Sequence, residues 1–213
     1  MRVAIVSFLK EKQKLKELKE FLKGHRLVFR KPELIVVYGG DGTLLAAEEK
    51  FPGVKKLFFY KNCRKFDFFD NYKNYIKLDV FLNGKKLFTA LNDVNVHYKL
   101  PRALRFNIKV NHFDLGENLI GDGVIVATPF GANAYYRTIT GNSFTKGIGI
   151  AFNNVIGNKT NKVVDENSVV EIIINREEGF LAVDSNSKVF ELKKGDSVVI
   201  KKSKEIACVS RRE

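Results

Sequence analysis

The sequence VVYGGDGTLLA, residues 36–46, places three glycines and one aspartate directly after an apolar run. Residues 34–38 are rich in β-branched side chains, which favours a buried strand. Strong helix formers follow the glycines as far as Pro52, so the sequence predicts a strand, a tight turn and a helix. Anions bind at such a turn in open α/β sheets, because free N–H groups lie at the start of the helix.

The segments around this turn predict further strands and helices in alternation. Residues 3–8 are typical of a strand, and residues 10–23 predict a helix with three leucines on one face. Gly24 marks the end of that helix, and residues 54–60 predict a third strand. Alternation of strands with helices predicts a parallel α/β sheet in this part of the chain.

The pattern changes from about residue 75 to short strands separated by Gly, Asn and Asp turns. Asn83-Gly84 lies between two alternating runs, which is a strong hairpin signal. The second part is therefore expected to be antiparallel β-structure, in the manner of a sandwich. We predict an α/β domain with the glycine turn at residues 1–74 and an all-β, sandwich-like domain at residues 75–213.

The charge, the hydropathy and the cysteine and histidine content limit the kinds of partner and site that we expect. The net charge of +13 would attract anions, yet the lysines are spread along the chain and no nucleic-acid-binding motif is present. No apolar run approaches the length of a membrane span. Two isolated cysteines and three scattered histidines form neither a disulfide framework nor a metal-ligand pattern. We expect a cytoplasmic protein that binds neither nucleic acid nor membrane.

Asp41 is the informative residue of the glycine turn. A carboxylate beside bound phosphates is repelled by them unless a cation or a transferred proton compensates the charge. It would therefore bind Mg²⁺ that bridges the phosphates, or accept a proton from an attacking hydroxyl, and both roles belong to phosphoryl transfer. The alternative is that Asp41 and Thr43 only shape a tight turn and cap a helix, since Asp-Gly turns are common.

Two later stretches carry polar residues inside strand-like runs. Asn92-Asp93 lies in ALNDV, residues 90–94, where the amide and carboxylate suit a ribose diol or, alternatively, an ordinary turn. In GDGVIVATPFGANAYY, residues 121–136, an apolar strand runs into a Pro- and Gly-containing turn. This stretch can be a simple hairpin with core tyrosines. Its candidate polar contacts are Asp122, Thr128, Asn133 and Tyr135.

Together the three stretches resemble the NAD kinase family, whose members use ATP or polyphosphate. That family has a Gly-Gly-Asp-Gly-Thr loop, an Asn-Glu pair, and an Asp-Gly followed by Thr-Pro-Thr-Gly-Ser-Thr-Ala-Tyr. Residues 39–43 match the loop in full, and Asn92-Asp93 matches the pair with Asp in place of Glu. Asp122-Gly123 and residues 128–135 match the last segment in part. The loop alone is shared with diacylglycerol kinases, sphingosine kinases and phosphofructokinases, but the three motifs in this order are more specific.

The resemblance implies a two-domain kinase that phosphorylates the 2′-hydroxyl of the adenosine ribose of NAD. Asp41 would act at that hydroxyl as a base or as a metal-linked group, and Asn92 and Asp93 would hold the adenosine. The residues that would line the phosphates are Gly39, Gly40, Gly42 and Thr43. The remaining NAD-binding residues that it implies are Asp122, Phe130, Asn133, Ala134, Tyr135 and Thr138. It also implies Mg²⁺ or another divalent cation, ATP or polyphosphate as donor, and a homodimer or homotetramer.

The sequence departs from the family pattern in the last motif. Phe130 stands where the family has a small hydroxyl residue, so it removes a hydrogen-bonding group, although its ring can stack on a base. Asn133 replaces a threonine, and residues 61–70 lack the glycines that the family has after the third strand. Two other interpretations remain open: a lipid or small-alcohol kinase on the same scaffold, and a non-catalytic nucleotide-binding relative.

Overall fold

The computed structural model describes residues 1–157, 160–184, 186 and 188–211. These residues form two compact units. One unit contains residues 1–75 together with the described residues from Glu205 onward, and the other contains residues 76–204. No helix in the described part of the chain is both long enough and apolar enough to cross a membrane.

The elements follow one another as the sequence alternation predicts. The first unit begins with β1 (Arg2–Val6), α1 (Lys12–Phe21), β2 (Arg26–Leu27), β3 (Leu34–Gly39), α2 (Asp41–Lys50) and β4 (Lys56–Tyr60). The chain continues with β5 (Lys73–Leu82), β6 (Lys85–Ala90), β7 (Asp93–Tyr98), β8 (Leu104–Val110), β9 (Phe113–Gly121) and β10 (Gly123–Ala127). A 3-10 helix (Gly131–Asn133) and α3 (Tyr135–Thr140) come next. The last elements are β11 (Ile148–Asn153), β12 (Lys162–Val164), β13 (Val170–Arg176), β14 (Gly179–Val183), β15 (Phe190–Leu192) and β16 (Ser197–Arg211).

The first unit contains a parallel sheet in the order β2, β1, β3, β4, β16. All of β3 is buried, as expected of a strand covered on both faces. Its alternate residues Leu34, Val36 and Tyr38 pack in one cluster with Leu18 of α1 and with Leu22, which directly follows that helix. The leucine face predicted for α1 is therefore confirmed. This packing fixes β3, and with it the position at which the glycine turn leaves the sheet.

The second unit contains two antiparallel layers. One sheet has the order β12, β11, β10, β7, β14, β15, and the other contains β16, β13, β8 and β9 in that order. Side chains from both sheets share one apolar cluster, which includes Val96, Val124, Phe106 and Ile172. The predicted sandwich is therefore confirmed, because the cluster is the layer between the two sheets.

The predicted hairpin at Asn83-Gly84 is also confirmed. It joins the antiparallel strands β5 and β6, and both turn residues have positive φ, 49° at Asn83 and 80° at Gly84. Positive φ at both positions is the geometry of the tight turn that matches the twist of paired strands.

The fold class predicted from the sequence, an α/β part followed by a sandwich-like all-β part, is that of the structure. The compact units differ from the predicted division at the end of the chain. β16 pairs antiparallel with β13 through residues 197–200, but parallel with β4 through residues 209–211. Its last residues therefore group with the first unit, which a linear division cannot express. As a statement about domains, the division at residues 74 and 75 stays a prediction.

Candidate active site

The glycine turn lies at the carboxyl end of β3, where the chain enters α2. Gly39 is the last residue of the strand, Gly40 is the N-cap and Asp41 is the first helical residue. The carbonyl oxygen of Gly40 accepts the first helical hydrogen bond, from the Thr43 N–H at 2.9 Å. The N–H groups of Asp41 and Gly42 have no partner within the helix, so they are available to an anion.

The three glycines of the turn have different reasons to be glycine. A Cβ atom at Gly39 would lie 2.3 Å from Oγ1 of Thr43, so the fold itself excludes a side chain there. At Gly40 and Gly42 a Cβ atom would have no neighbour within 4 Å, and neither residue has a positive φ. A glycine in a helix costs about 1 kcal/mol relative to alanine, so the stability of the fold does not explain Gly42. The open space at Gly40 and Gly42 fits phosphate oxygens that approach the backbone closely.

Asp41 has an exposed carboxylate that is held by one side chain. The Tyr60 hydroxyl, at the end of β4, donates a hydrogen bond to Oδ1 of Asp41 at 2.9 Å. Among the described residues, the second carboxylate oxygen has no hydrogen-bond partner. Asp41 therefore presents one fixed and one available oxygen beside the open glycine backbone.

Thr43, unlike Gly40 and Gly42, is buried and does not face open space. Its side chain is buried against Gly39, and its N–H is used by the carbonyl oxygen of Gly40. Thr43 packs where α2 comes close to the end of β3, and this packing is a structural reason for a threonine at this position. A contact of Thr43 with phosphates stays a prediction.

A second cluster of polar groups surrounds the Asn92-Asp93 pair in the other unit. Asp184 follows β14 with a φ of 51°, and its carboxylate accepts the backbone N–H groups of residues 91, 92 and 93 at 2.6, 2.6 and 3.1 Å. In return, the Asp184 N–H donates to the carbonyl oxygen of Asp93 at 3.1 Å. These bonds fix the backbone of the Asn92-Asp93 pair, so its side chains project from a defined loop.

The two carboxylates of this cluster are difficult to ionise together. Burial and the nearby Asp184 carboxylate raise the pKa of Asp93 to about 7. Burial raises the pKa of Asp184 to about 6, although the three backbone N–H groups and Lys77 oppose that rise. Like charges at one site disfavour ionisation of the second group, so near neutral pH Asp93 is still partly protonated.

The turn after β10 packs directly on the Asn92-Asp93 loop. The Thr128 hydroxyl donates to the carbonyl oxygen of Leu91 at 2.5 Å, and the Thr128 N–H donates to that of Asn92 at 2.9 Å. A Cβ atom at Gly131 would lie 2.2 Å from the carbonyl oxygen of Asn92, so only glycine fits there. The structure thus joins two motifs that are about 35 residues apart in the sequence. The nearly buried Asn92 side chain has no hydrogen-bond partner among the described residues, and its amide is available to a ligand.

The remaining predicted pocket residues follow this turn. Phe130 is 9% exposed, so its ring belongs largely to the interior. Four of them are exposed along the 3-10 helix and α3: Asn133, Ala134, Tyr135 and Thr138. The Tyr135 hydroxyl accepts a hydrogen bond from Nδ2 of Asn153 at 3.3 Å. The Thr138 hydroxyl donates to the carbonyl oxygen of Ala134 at 3.4 Å, whereas the Asn133 side chain has no hydrogen bond to the described residues.

Asp122 lies apart from the Asn92-Asp93 pair. Asp93 is paired with Ala127 at one end of β10, whereas Asp122 precedes the other end. Five residues of strand, at about 3.4 Å each, separate the two positions by roughly 17 Å along the sheet. The carboxylate of Asp122 accepts a hydrogen bond from Nδ2 of Asn154 at 3.2 Å. The structure therefore does not bring Asp122 together with Asn92 and Asp93, and its contact with NAD stays a prediction.

A family model described as the ATP-NAD kinase C-terminal domain matches residues 91–211. This span begins at the Asn92-Asp93 loop and runs to the end of β16, and it covers more than half of the chain. The chain belongs to the NAD kinase family. The resemblance stated from the sequence motifs is confirmed, and the chain is an enzyme, an NAD(H) kinase.

Individual relatives agree with the NAD kinase assignment. An NAD kinase of Methanosarcina acetivorans is 28% identical over 208 residues, which cover 81% of this chain and 70% of the relative. An NAD kinase of Enterococcus faecalis is 33% identical over 171 residues, which cover 66% of this chain and 64% of the relative.

Solved structures share the fold at lower identity. The crystal structure of an NAD kinase from Archaeoglobus fulgidus in complex with ATP has a TM-score of 0.79 at 19% identity, covering all of this chain and 94% of that one. Yeast NADH kinase complexed with NADH has a TM-score of 0.84 at 15% identity, covering all of this chain and 84% of that one. At these identities the likeness establishes that this chain has the NAD kinase fold.

The sequence motifs gave no role to Tyr60, which contacts Asp41, or to Asp184, which binds the Asn92-Asp93 loop. Tyr60 is the last residue of β4 and lies opposite Gly39 in the parallel register. The carboxyl ends of neighbouring parallel strands meet at one sheet edge, so a polar residue there was a usable signal. Asp184 likewise follows directly on an apolar strand, but nothing local identifies the three N–H groups that it binds, 91 to 93 residues away.

Proposed function

We propose that the chain transfers the terminal phosphoryl group of ATP to the 2′-hydroxyl of the adenosine ribose of NAD and so forms NADP. The observation that carries this proposal is Asp41, an ionisable carboxylate with one oxygen held by Tyr60 and the other available, next to two glycines that no packing requires. The printed description of the Archaeoglobus fulgidus relative, an NAD kinase in complex with ATP, supports ATP as the donor.

The reaction needs a proton acceptor at the attacking hydroxyl. The 2′-oxygen forms a bond to the terminal phosphorus, the bond from that phosphorus to the bridging oxygen breaks, and ADP leaves with the bonding electrons. The proton of the hydroxyl passes to the available oxygen of Asp41. The N–H groups near Gly40 and Gly42 hold phosphate oxygens, so that the reacting groups are positioned in line.

The donor set also bears on a divalent cation. Among the described residues there is no group of three or more His, Cys, Asp or Glu side chains that would hold a metal ion. Mg²⁺ commonly needs only one or two carboxylates, because substrate phosphates and water supply the other ligands. Asp41 fits that requirement, and its available oxygen would hold Mg²⁺ in the alternative in which it is not the proton acceptor. When bound, the cation neutralises the charge on the phosphates.

In this proposal the second unit binds the adenosine part of NAD. Asn92 has an unpaired amide on a loop fixed by Asp184, and Asp93 lies beside it with a carboxyl that is near its midpoint of ionisation at neutral pH. A ribose or adenine needs donors and acceptors side by side, which an amide and a half-protonated carboxyl supply. The exposed Asn133, Ala134, Tyr135 and Thr138 extend this surface. A homodimer or homotetramer in the cytoplasm remains part of the proposal.

The test compares Asp41→Asn with Asp70→Asn, a matched change at an exposed aspartate of the same unit. Each protein is incubated with NAD, ATP and Mg²⁺, and NADP is measured enzymatically. We expect Asp41→Asn to lower kcat by about a thousandfold, because general base catalysis contributes on that order. Asp70→Asn should retain the wild-type kcat, and both variants should keep the wild-type melting temperature.

Each other outcome has a definite meaning. Near-normal NADP formation by Asp41→Asn removes Asp41 from the mechanism. No NADP from the wild-type protein with NAD, NADH, ATP or polyphosphate, combined with NAD binding by calorimetry, indicates a non-catalytic nucleotide-binding protein. Phosphorylation of a lipid or another small alcohol instead of NAD indicates a different acceptor for the same turn.

A further inference from the structure

Three neighbouring parallel strands end with three polar side chains that contact one another. Asp41 follows β3, Tyr60 ends β4, and Arg211 ends β16. Tyr60 donates to Oδ1 of Asp41 at 2.9 Å, and Arg211 also hydrogen-bonds to Tyr60. The side chains therefore form a row of carboxylate, phenol and guanidinium along the edge of the sheet where the glycine turn lies.

The phenol can act only as a donor to Asp41, because an ionised carboxylate offers acceptors alone. The Tyr60 hydroxyl therefore donates its proton to the Asp41 carboxylate, and the Arg211 guanidinium donates to the phenolic oxygen of Tyr60. Asp41 and Arg211 are the charged groups next to this hydroxyl, one from α2 and one from β16.

An exposed aspartate at the start of a helix would otherwise exchange among several rotamers. Only the rotamers that direct a free oxygen to the attacking hydroxyl are productive, and misplacement by about 1 Å reduces the rate strongly. A donor that binds Oδ1 selects among these rotamers before the substrate arrives. The aromatic ring of Tyr60 is itself held by Phe58, with the ring centroids 4.5 Å apart.

We propose that Tyr60 is a positioning residue for phosphoryl transfer: it holds one oxygen of Asp41 so that the other faces the acceptor hydroxyl, and Arg211 orients the phenol for that task. This inference rests on the proposed function, in which Asp41 accepts the proton. It gives the end residues of β4 and β16 an indirect part in catalysis, through Asp41 and not through contact with a substrate.

The test uses Tyr60→Phe, which removes the hydroxyl and retains the ring that packs on Phe58. The matched control is Tyr72→Phe, a partly buried tyrosine of the same unit with no hydrogen bond from its hydroxyl to the described residues. We expect Tyr60→Phe to lower kcat about tenfold, as for loss of one hydrogen bond to a charged group. The KM for NAD should stay within about twofold, because binding of the adenosine does not use this hydroxyl.

A second variant tests the order of the row. Arg211→Met should lower kcat about threefold, because the phenol keeps its bond to Asp41 but loses the group that orients it. The double variant Tyr60→Phe/Arg211→Met should be no slower than Tyr60→Phe alone, since Arg211 acts through the hydroxyl. Contacts that share one path are non-additive in this way.

The outcomes separate this inference from the proposed function. If the wild-type protein forms no NADP, the proposed function fails and the inference fails with it. If the wild-type protein is active and Tyr60→Phe has the same kcat as Tyr72→Phe, Tyr60 is not a positioning residue. The inference is also overturned if Tyr60→Phe lowers the melting temperature along with kcat, because the loss of activity would then reflect unfolding. It is likewise overturned if the double variant loses kcat by the product of the two single losses.

Discussion

Asp41 and Asp184 are both aspartates that follow a strand, and the structure treats them in opposite ways. Asp41 is exposed, and one oxygen accepts a single side-chain hydrogen bond from Tyr60. The Asp184 carboxylate lies in a buried setting, where it accepts three backbone N–H groups from the Asn92-Asp93 loop. The same side chain thus has one partner in one unit and three in the other.

The difference separates a residue that can react from a residue that organises. Three of the four lone-pair sites of the Asp184 carboxylate accept backbone N–H groups, so Asp184 fixes the loop. Asp41 keeps an oxygen available and is held by a side chain that a substrate need not displace. The number and kind of hydrogen-bond partners therefore indicate the role of each carboxylate better than its sequence neighbours do.

The largest effect that tests this comparison is expected at Asp184. Asp184→Ala leaves three buried N–H groups without an acceptor, which should lower the free energy of unfolding by about 3 kcal/mol. NAD binding should weaken as well, because the loop that presents Asn92 is released. Urea unfolding and calorimetry with NAD measure the two effects, and Asp114→Ala, at an exposed aspartate of the same unit, is the control. An Asp184→Ala variant as stable as this control would show that the three bonds are dispensable.

The glycines of the turn provide the second test. Gly39→Ala should lower the free energy of unfolding by about 2 kcal/mol, because its Cβ atom meets Oγ1 and Cβ of Thr43. Gly40→Ala should leave stability within about 0.5 kcal/mol, because its Cβ atom has no neighbour. The same Gly40→Ala variant should raise the KM for ATP, since the methyl group occupies the space that suits phosphate. Equal stability losses in the two variants, or an unchanged KM in Gly40→Ala, would contradict the distinction between a glycine for packing and a glycine for binding.

The smallest effect concerns the pH dependence of stability in the second unit. The pKa of Asp93 is raised to about 7 in the folded chain, so folding retains a proton that the unfolded chain releases near pH 4. Stability from this group is therefore present at low pH and falls as pH rises to about 7, and Asp184 adds to the same slope. Between pH 6 and pH 8 the wild-type protein should lose on the order of 1 kcal/mol relative to Asp93→Asn. Urea unfolding at both pH values measures this, and parallel curves for the two proteins would refute the raised pKa.

Local patterns were sufficient to predict the elements around the glycine turn and the turn itself. Residues 34–46 contain a buried strand, glycines and helix formers in immediate succession, so the strand–turn–helix follows from short-range propensities. Asn83-Gly84 likewise carries its turn geometry in the two residues themselves. Asp41 was singled out because a carboxylate beside phosphates needs a cation or a transferred proton, and its catalytic role stays a prediction.

The division of the chain was harder to predict because β16 belongs to two pairings. Its sequence reads as one long strand, and nothing in it tells that residues 197–200 pair with β13 while residues 209–211 pair with β4. The pairing of a strand depends on the packing of the whole sheet, because the backbone of any exposed strand edge offers the same hydrogen-bonding groups.

The sequence by itself determined the class of fold, the glycine turn with Asp41 and membership of the NAD kinase family, because each depends on residues that are adjacent or in fixed order. Only the tertiary structure decided which groups hold the carboxylates. Tyr60 reaches Asp41 across 19 residues of chain, and Asp184 reaches the Asn92 N–H across 92. Such bonds arise where strands end together at a sheet edge, and the identity of neighbouring strands is a property of the packed fold that no local propensity encodes.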